Sequence, residues 1–426
     1  MSSGSSSTSA ARRRRLTALN FFPAFLPPSN GGELRYFHVY AQLGRHYEVD
    51  MVSPTHPFVP PETIMMGDGV VEHRVPKSWR HVFLQRLFDR VAGFSECSAV
   101  IVSLASHFER GYRAIVAELA ARSDIVVHEF PFLYRHARKR PEQLLVYDAH
   151  NVEFDLQRGM LRGPLGRVLS VYVKRLEAMI CRDADVIFAT SEDDRRRLVE
   201  LYRVSPDKVF VAPNGVDVAA VRCVSDGERE AAKRRLGLEG HDVLLFVGSF
   251  HPPNIEAVEA LIATVTPRLP AAVVIVIGNV TRALAADRIP PNMICLGRVS
   301  DAAKAILLAA TDVALNPMSS GSGTNLKMIE YLAAGLPVVT TPVGARGLDV
   351  VSGQHALVAP IEGFTAAIER LLGDDAVRAT LRARGRRLAE ERYDWRAIAE
   401  GMHDAIEAAL AQLADRRHAL KTRTAS

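Results

Sequence analysis

The sequence predicts an α/β chain built as two doubly wound halves, and three observations carry that expectation. Short apolar runs alternate with amphipathic helical segments from about Leu16, and the alternation starts afresh near Asp242. The strong turn sequence PNGVD at 213–217 separates the two series. The run DVALNPMSSGSGTNLKMIEYLAAGLPVVTT, residues 312–341, reads as strand, glycine loop, helix and strand.

That last run holds the densest chemistry. Asp312 to Asn316 form an apolar strand leading into Pro317, and Met318 to Gly323 form a Gly/Ser loop. A helix is expected from about Asn325 to Ala334, with Leu326, Ile329, Leu332 and Ala333 on its apolar face. Gly335 stands at the C-cap position and Pro337 prevents continuation. The first N–H groups of such a helix lack internal partners and carry the positive end of its dipole, so the start at Gly323, Thr324 and Asn325 suits an anion. Gly321 and Gly323 let a diphosphate approach the backbone, and Lys327 adds a full charge one turn in. Glu330 shares a side of the helix with Lys327, and a carboxylate can accept both hydroxyls of a ribose diol. A plain connecting loop followed by a surface ion pair has the same pattern, and these residues alone leave both readings open.

Composition narrows the classes. The chain has 426 residues, 48% hydrophobic and 24% charged, the balance of a globular enzyme of two or three domains. No apolar run approaches the roughly 18 residues of a membrane span. Cys97, Cys181, Cys223 and Cys295 are scattered without C-x-x-C spacing, which argues for reduced thiols in a cytoplasm and against a zinc site or disulfide frame. A net charge of +5 is too dispersed for nucleic-acid binding but favours phosphates and anionic membrane surfaces.

Taken in order, residues 1–15 read as a basic, low-complexity tail. Leu16 to Phe22 form a first strand, and Gly31 and Gly32 close a loop before the helix carrying Tyr36, Val39 and Leu43. Tyr47 to Ser53 are a second strand. Residues 77–94, KSWRHVFLQRLFDRVAGF, form a basic amphipathic helix that suits either its own sheet or a membrane surface. Ala99 to Leu104 are apolar without a clear period, and a helix is expected at about His107 to Ala121. Asp124 to Val127 and Leu144 to Tyr147 are buried parallel strands. The second runs into DAHNVE, so His150 stands at the carboxyl end of a parallel strand, where such sheets bind ligands. Asp148 and Asn151 are placed to orient it or to touch hydroxyls. A long helix at about 165–182, a strand at 185–190, a helix opened by Ser191 and a strand from Lys208 to Ala212 complete the first half. Residues 213–240 are the linker. The second half opens on a strand from Asp242 to Val247 and the loop 248–254, then Val273 to Ile277 and Met293 to Leu296, followed by Gly297-Arg298-Val299. Residues 364–373 and 375–391 are helices. A last helix spans about Arg396 to Leu413, before a tail from Asp415.

The run 312–341, with PNGVD and the 144–153 segment, resembles the retaining glycosyltransferases of family 4, which have the GT-B fold of two Rossmann-like domains facing a cleft and a final helix crossing back. The resemblance spans roughly 17–410. It implies domains at 16–212 (acceptor side) and 241–392 (nucleotide-sugar side), with a crossover helix at 393–414 and a tail at 415–426. Members carry two glutamates separated by seven residues: Glu330 matches the second, which holds the nucleotide ribose, and Ser322 stands where the first faces the donor sugar. The GSGTNLK run resembles a variant signature within the family. The resemblance further implies that Arg298 lies where backbone receives the base. Ser249 lies in the loop where members carry Arg or Lys for the diphosphate. His150, with Asn151, Gly31 and Gly32, would shape the wall around the transferred sugar and acceptor. The implied activity is same-face transfer of a sugar from a nucleotide sugar to an acceptor hydroxyl, with Lys327 and the helix start stabilising the leaving diphosphate. No paired acids are placed for a divalent ion, so no metal and no cofactor beyond the nucleotide sugar is expected. The expected location is the cytoplasm, with peripheral contact at the inner membrane face. The rivals are an epimerase on the same fold and a non-catalytic nucleotide-sugar binder.

Overall fold

The computed structural model describes residues 12–24, 31–92, 98–161, 163–321 and 324–424. It divides into two compact units, one of residues 1–189, 194–212 and 399–426 and the other of 190–193 and 213–398.

The first unit is ordered from β1 (Arg14–Leu19), α1 (Gly31–Leu43) and β2 (Tyr47–Thr55) onward. β1 starts at Arg14, so Arg14 and Arg15 are strand rather than tail; they pair in register with Tyr47 and Glu48. The expected tail residues 1–11 lie outside the described residues. An antiparallel edge hairpin follows, β3 (Glu62–Gly67) and β4 (Val70–Pro76), which the sequence reading passes over. Then come α2 (Trp79–Ala92), α3 (Ser98–Ala105), α4 (Arg110–Arg122), β5 (Ile125–His128), β6 (Leu144–Ala149), α5 (Glu153–Met160) and α6 (Gly163–Asp183). β7 (Val186–Ala189), α7 (Glu192–Tyr202) and β8 (Val209–Val211) complete the series. The apolar run near Ala99 is thus a helix. The eight strands run in the order β3-β4-β2-β1-β5-β6-β7-β8, parallel except for β3. β5, β6 and β7 are buried at every residue, the pattern of parallel strands covered on both faces.

A buried carboxylate fixes the segment after β6. Glu177 of α6 accepts from the Tyr147 and Tyr202 hydroxyls at 3.0 and 2.6 Å and from the backbone N–H groups of Glu153 and Phe154 at 2.8 and 2.9 Å. It caps the start of α5 from another helix, so the sequence around α5 gives no sign of it. Glu177→Ala is expected to strand these buried donors and to lower stability by roughly 2–3 kcal/mol, measured by chemical denaturation.

The second unit contains α8 (Asp226–Leu236), β9 (Val243–Val247), α9 (Pro252–Thr264), β10 (Val273–Ile277), β11 (Met293–Gly297), α10 (Asp301–Ala310), β12 (Val313–Asn316), α11 (Leu326–Ala333), β13 (Val338–Thr340), β14 (Leu357–Val358), α12 (Phe364–Gly373) and α13 (Asp375–Arg392). Its six strands run in the order β11-β10-β9-β12-β13-β14, all parallel. The 213–240 segment is not a plain linker. It contains α8, opened by a capping box between Ser225 and Glu228 and closed by Gly237.

The last helix, α14 (Trp395–Thr424), is longer than expected, and 415–424 are helix rather than tail. From Ala399 onward it belongs to the first unit. There Tyr47 meets His403 at 2.8 Å and donates to Glu407 at 3.0 Å, and the rings of His46 and His403 stack at 3.9 Å.

Candidate active site

In the second unit three of the six parallel strands end on glycine. Gly248 follows β9, Gly278 follows β10 and Gly297 ends β11. Gly278 has φ 102°, and a Cβ there would stand 2.1 Å from the Gly248 carbonyl oxygen. Its N–H donates to the Gly297 carbonyl at 2.6 Å. The carboxyl edge of the sheet is therefore a shelf of bare backbone, the place where doubly wound sheets bind ligands.

The 318–327 segment lies on the same sheet. Thr341 Oγ1 donates to the Met318 carbonyl, and Arg346 Nη2 donates to the Gly321 carbonyl at 2.8 Å. Gly321 has φ 126°, which only glycine adopts without strain. Ser322 and Gly323 lie outside the described residues. Asn325 is the N-cap of α11 but makes no side-chain cap, and Thr324 precedes it half-buried. The helix is anchored from below by Tyr331, whose buried hydroxyl accepts from the Val247 N–H at 2.8 Å.

Lys327 points from the first turn of α11 towards the β9 loop. Its Nζ donates to Asn254 Oδ1 at 2.6 Å, lies 4.3 Å from the centre of the Phe246 ring and stands 3.6 Å from Met318 Sδ. Asn254 in turn donates to the carbonyl and hydroxyl oxygens of Ser249, both at 3.1 Å. No carboxylate among the described residues lies within ion-pair distance of Lys327. Burial holds its ammonium far below the ordinary lysine value, at about 7. The ammonium thus stands half-buried at a helix start and is held by an amide oxygen and an aromatic face.

Lys327 and Glu330 do not pair, contrary to the bland surface reading. Glu330 meets Lys304 of α10 at 2.5 Å. The two line a largely apolar cavity of about 560 Å³ between α8 and α10, with Val221, Ala305 and Leu308. Arg298 is exposed at the end of β11. Ser249 and Lys327 are therefore brought together through Asn254, Gly321 is held by Arg346, and Glu330 stands with Lys304.

In the first unit His150 is buried and its Nε2 lies 2.7 Å from Glu129 Oε2, with the Phe130 ring 4.5 Å away. The orienting group is Glu129, not Asp148 or Asn151. Asp148 is paired with Arg35, and Asn151 donates to Glu153 at 3.3 Å. Glu129 also accepts from the Tyr40 hydroxyl. Burial pushes the Glu129 carboxyl up, against the Tyr40 hydrogen bond and the Arg35 charge, and pushes the His150 imidazole down. Burial thus disfavours the charged form of both groups, and the Glu129–His150 hydrogen bond is made in a desolvated setting. Glu129, Asp148 and His150 offer ligand atoms within 4.8 Å of one another, a spacing that could hold a metal ion. The Arg35 guanidinium already supplies positive charge there. Gly31 and Gly32 form the first turn of α1 rather than the end of a loop. Glu129 follows β5 just as His150 follows β6, so two adjacent carboxyl ends were the available sign of this contact.

Comparison with known proteins follows the same division. Residues 29–220 match the family model described as Glycosyltransferase Family 4, and residues 241–374 match the one described as Glycosyl transferases group 1. The D-inositol 3-phosphate glycosyltransferase of Rhodococcus erythropolis is 28% identical over 291 residues, covering 62% of this chain and 63% of that relative. The chain spans less than two thirds of the length of the curated relatives it matches. The sucrose-phosphate synthase of Thermosynechococcus elongatus is similar with a TM-score of 0.70 at 17% identity, covering 94% of this chain and 100% of that one. The Anabaena protein HepE in complex with UDP and glucose is similar with a TM-score of 0.65 at 15% identity, covering 93% and 100%.

Proposed function

The chain belongs to the family 4, group 1 glycosyltransferases, with the GT-B fold, and from that premise we propose that it moves a sugar from a nucleotide sugar to an acceptor hydroxyl with retention of anomeric configuration. The observation that carries this reading is Lys327, a half-buried ammonium at the start of α11 with no carboxylate partner among the described residues. A nucleoside diphosphate is the anion that suits this lysine and helix start. As the sugar–phosphate bond breaks, negative charge grows on the diphosphate, and Lys327, the α11 N–H groups and Arg346 stand ready to stabilise it. We propose that no metal or further cofactor is needed, because this chain supplies that charge itself.

Glu330 is assigned to the ribose. Two carboxylate oxygens allow it to keep Lys304 on one and accept a hydroxyl on the other. Glu330→Ala is expected to weaken UDP binding by roughly tenfold while leaving inorganic pyrophosphate binding unchanged, measured by calorimetry. The HepE complex with UDP and glucose supports a UDP-sugar as the donor. His150, held by Glu129, and Asn151 are assigned to the transferred sugar and acceptor.

No helix among the described residues is long and apolar enough to cross a membrane. We place the protein in the cytoplasm at the inner membrane face, on the strength of the arginine-rich exposed side of α2. The test of the transferase reading is calorimetric titration with UDP, GDP and ADP in the presence of a chelator, followed by an assay of nucleotide release from the matching nucleotide sugar. Binding of one nucleotide supports the site. Failure of all three, in a folded protein, removes it.

A further inference from the structure

Two helices of the first unit leave the same kind of face uncovered. On α2, Leu84 and Phe88 pack inward on a cluster that includes Val100, Phe130 and Phe132. The opposite side exposes Trp79 (72%), Phe83 (62%) and Leu87 (44%), spaced by four residues. Arg80, Arg86 and Arg90 are exposed on the same arc. The first half of α6 packs Leu169 and Val173 on that same cluster and exposes Leu165, Val168 and Val171, with Arg167 and Arg175 among them. Residues 77–88 and 163–176 contain no Asp or Glu.

We propose that these two faces dock on an anionic lipid bilayer, with Trp79, Phe83 and Leu87 entering the headgroup–acyl boundary and the arginines meeting lipid phosphates. Large apolar side chains kept in water on a helix are unfavourable unless something covers them. Arginines interleaved with them choose the cover. An anionic membrane surface satisfies both at once: the rings bury and the guanidinium groups stay at phosphate depth. A second copy suits these faces less well, because a two-fold contact would bring the same arginines against each other. The inference deepens the membrane-face placement above but is independent of donor binding, which belongs to the other unit.

The sequence contains only two tryptophans, and Trp395 is buried, so Trp79 reports on this face. The full chain is titrated with vesicles of phosphatidylcholine alone and with vesicles enriched in phosphatidylglycerol, following tryptophan emission and co-sedimentation. A blue shift on the anionic vesicles, absent in Trp79→Phe and reduced by salt, is expected. Phe83→Ser with Leu87→Ser is expected to lower partitioning by about tenfold or more, and Arg86→Glu with Arg90→Glu to abolish it, with UDP binding unchanged in both. No response to either vesicle, or an equal response to both, overturns the proposal. So does a dimer that Phe83→Ser dissociates in the absence of lipid. Because UDP binding is measured on the same samples, failure here is distinguishable from failure of the transferase reading.

Discussion

Lys327→Met is expected to lower affinity for a nucleoside diphosphate by about two orders of magnitude, close to 3 kcal/mol, while leaving the protein folded. Methionine keeps the unbranched stem beside Phe246 and Met318 and removes only the charge. The loss is large because the ammonium is already desolvated, so its attraction for phosphate is not spread through water. The pH dependence has a definite sign. In the free protein the ammonium titrates at about 7, and a bound diphosphate must raise that value. Binding therefore takes up a proton above pH 7, and affinity falls as pH rises from 7.5 to 9, by up to about tenfold per unit. Over that range the phosphates are already ionised, so the trend reports the lysine. Calorimetry at three pH values measures it; Lys327→Met should abolish the slope. The same substitution should stabilise the unliganded protein near pH 6, where the parent must bury an unpaired charge.

The second large effect is on stability. Arg35 and Asp148 are fully buried, and the guanidinium grips the carboxylate through Nη2 at 2.5 Å and Nε at 3.1 Å while Nη1 donates to the Ala212 carbonyl at 2.8 Å. Arg35→Ala or Asp148→Ala leaves the other charge buried without its partner and is expected to cost roughly 3–5 kcal/mol. In thermal unfolding that corresponds to a fall of roughly 10 °C for a unit of this size. Arg35→Leu combined with Asp148→Leu should recover much of the loss, because the desolvation of both ions is removed with their attraction. Harmless single variants would mean that water reaches the pair in solution. The double variant is also expected to disturb His150, since Arg35 is one of the charges acting on Glu129.

What the sequence revealed depended on how local the signal was. The α11 segment was legible because its periodicity, glycine loop and Pro stop all lie within thirty residues, and the helix runs from Leu326 to Ala333 close to expectation. β5, β6 and β7 were legible as unbroken apolar runs. The β3–β4 hairpin was not: its residues are half exposed, so neither an apolar run nor a clean alternation marks it. The α3 run SAVIVSLA is apolar on every side, which hides its period. At the site, residue types were readable but partners were not. Lys327 meets Asn254 across 73 positions and His150 meets Glu129 across 21, contacts set by which strands lie side by side. Glu330 at i+3 looked like the mate of Lys327, yet Lys304 from another helix takes it.

The division of the chain has a consequence for how it is made. The second unit is nearly contiguous, so residues 213–398 can close their sheet as soon as they have left the ribosome. The first unit emerges earlier but stays unfinished, because Tyr47 and His46 wait for His403 and Glu407. At the roughly 5–20 residues per second of translation, that gap lasts on the order of ten to forty seconds. Through that interval the nascent first unit lacks the contacts that α14 later supplies, and it is expected to engage chaperones on the ribosome. A stop codon after Ile398 should leave the second unit folded and the first one prone to aggregation.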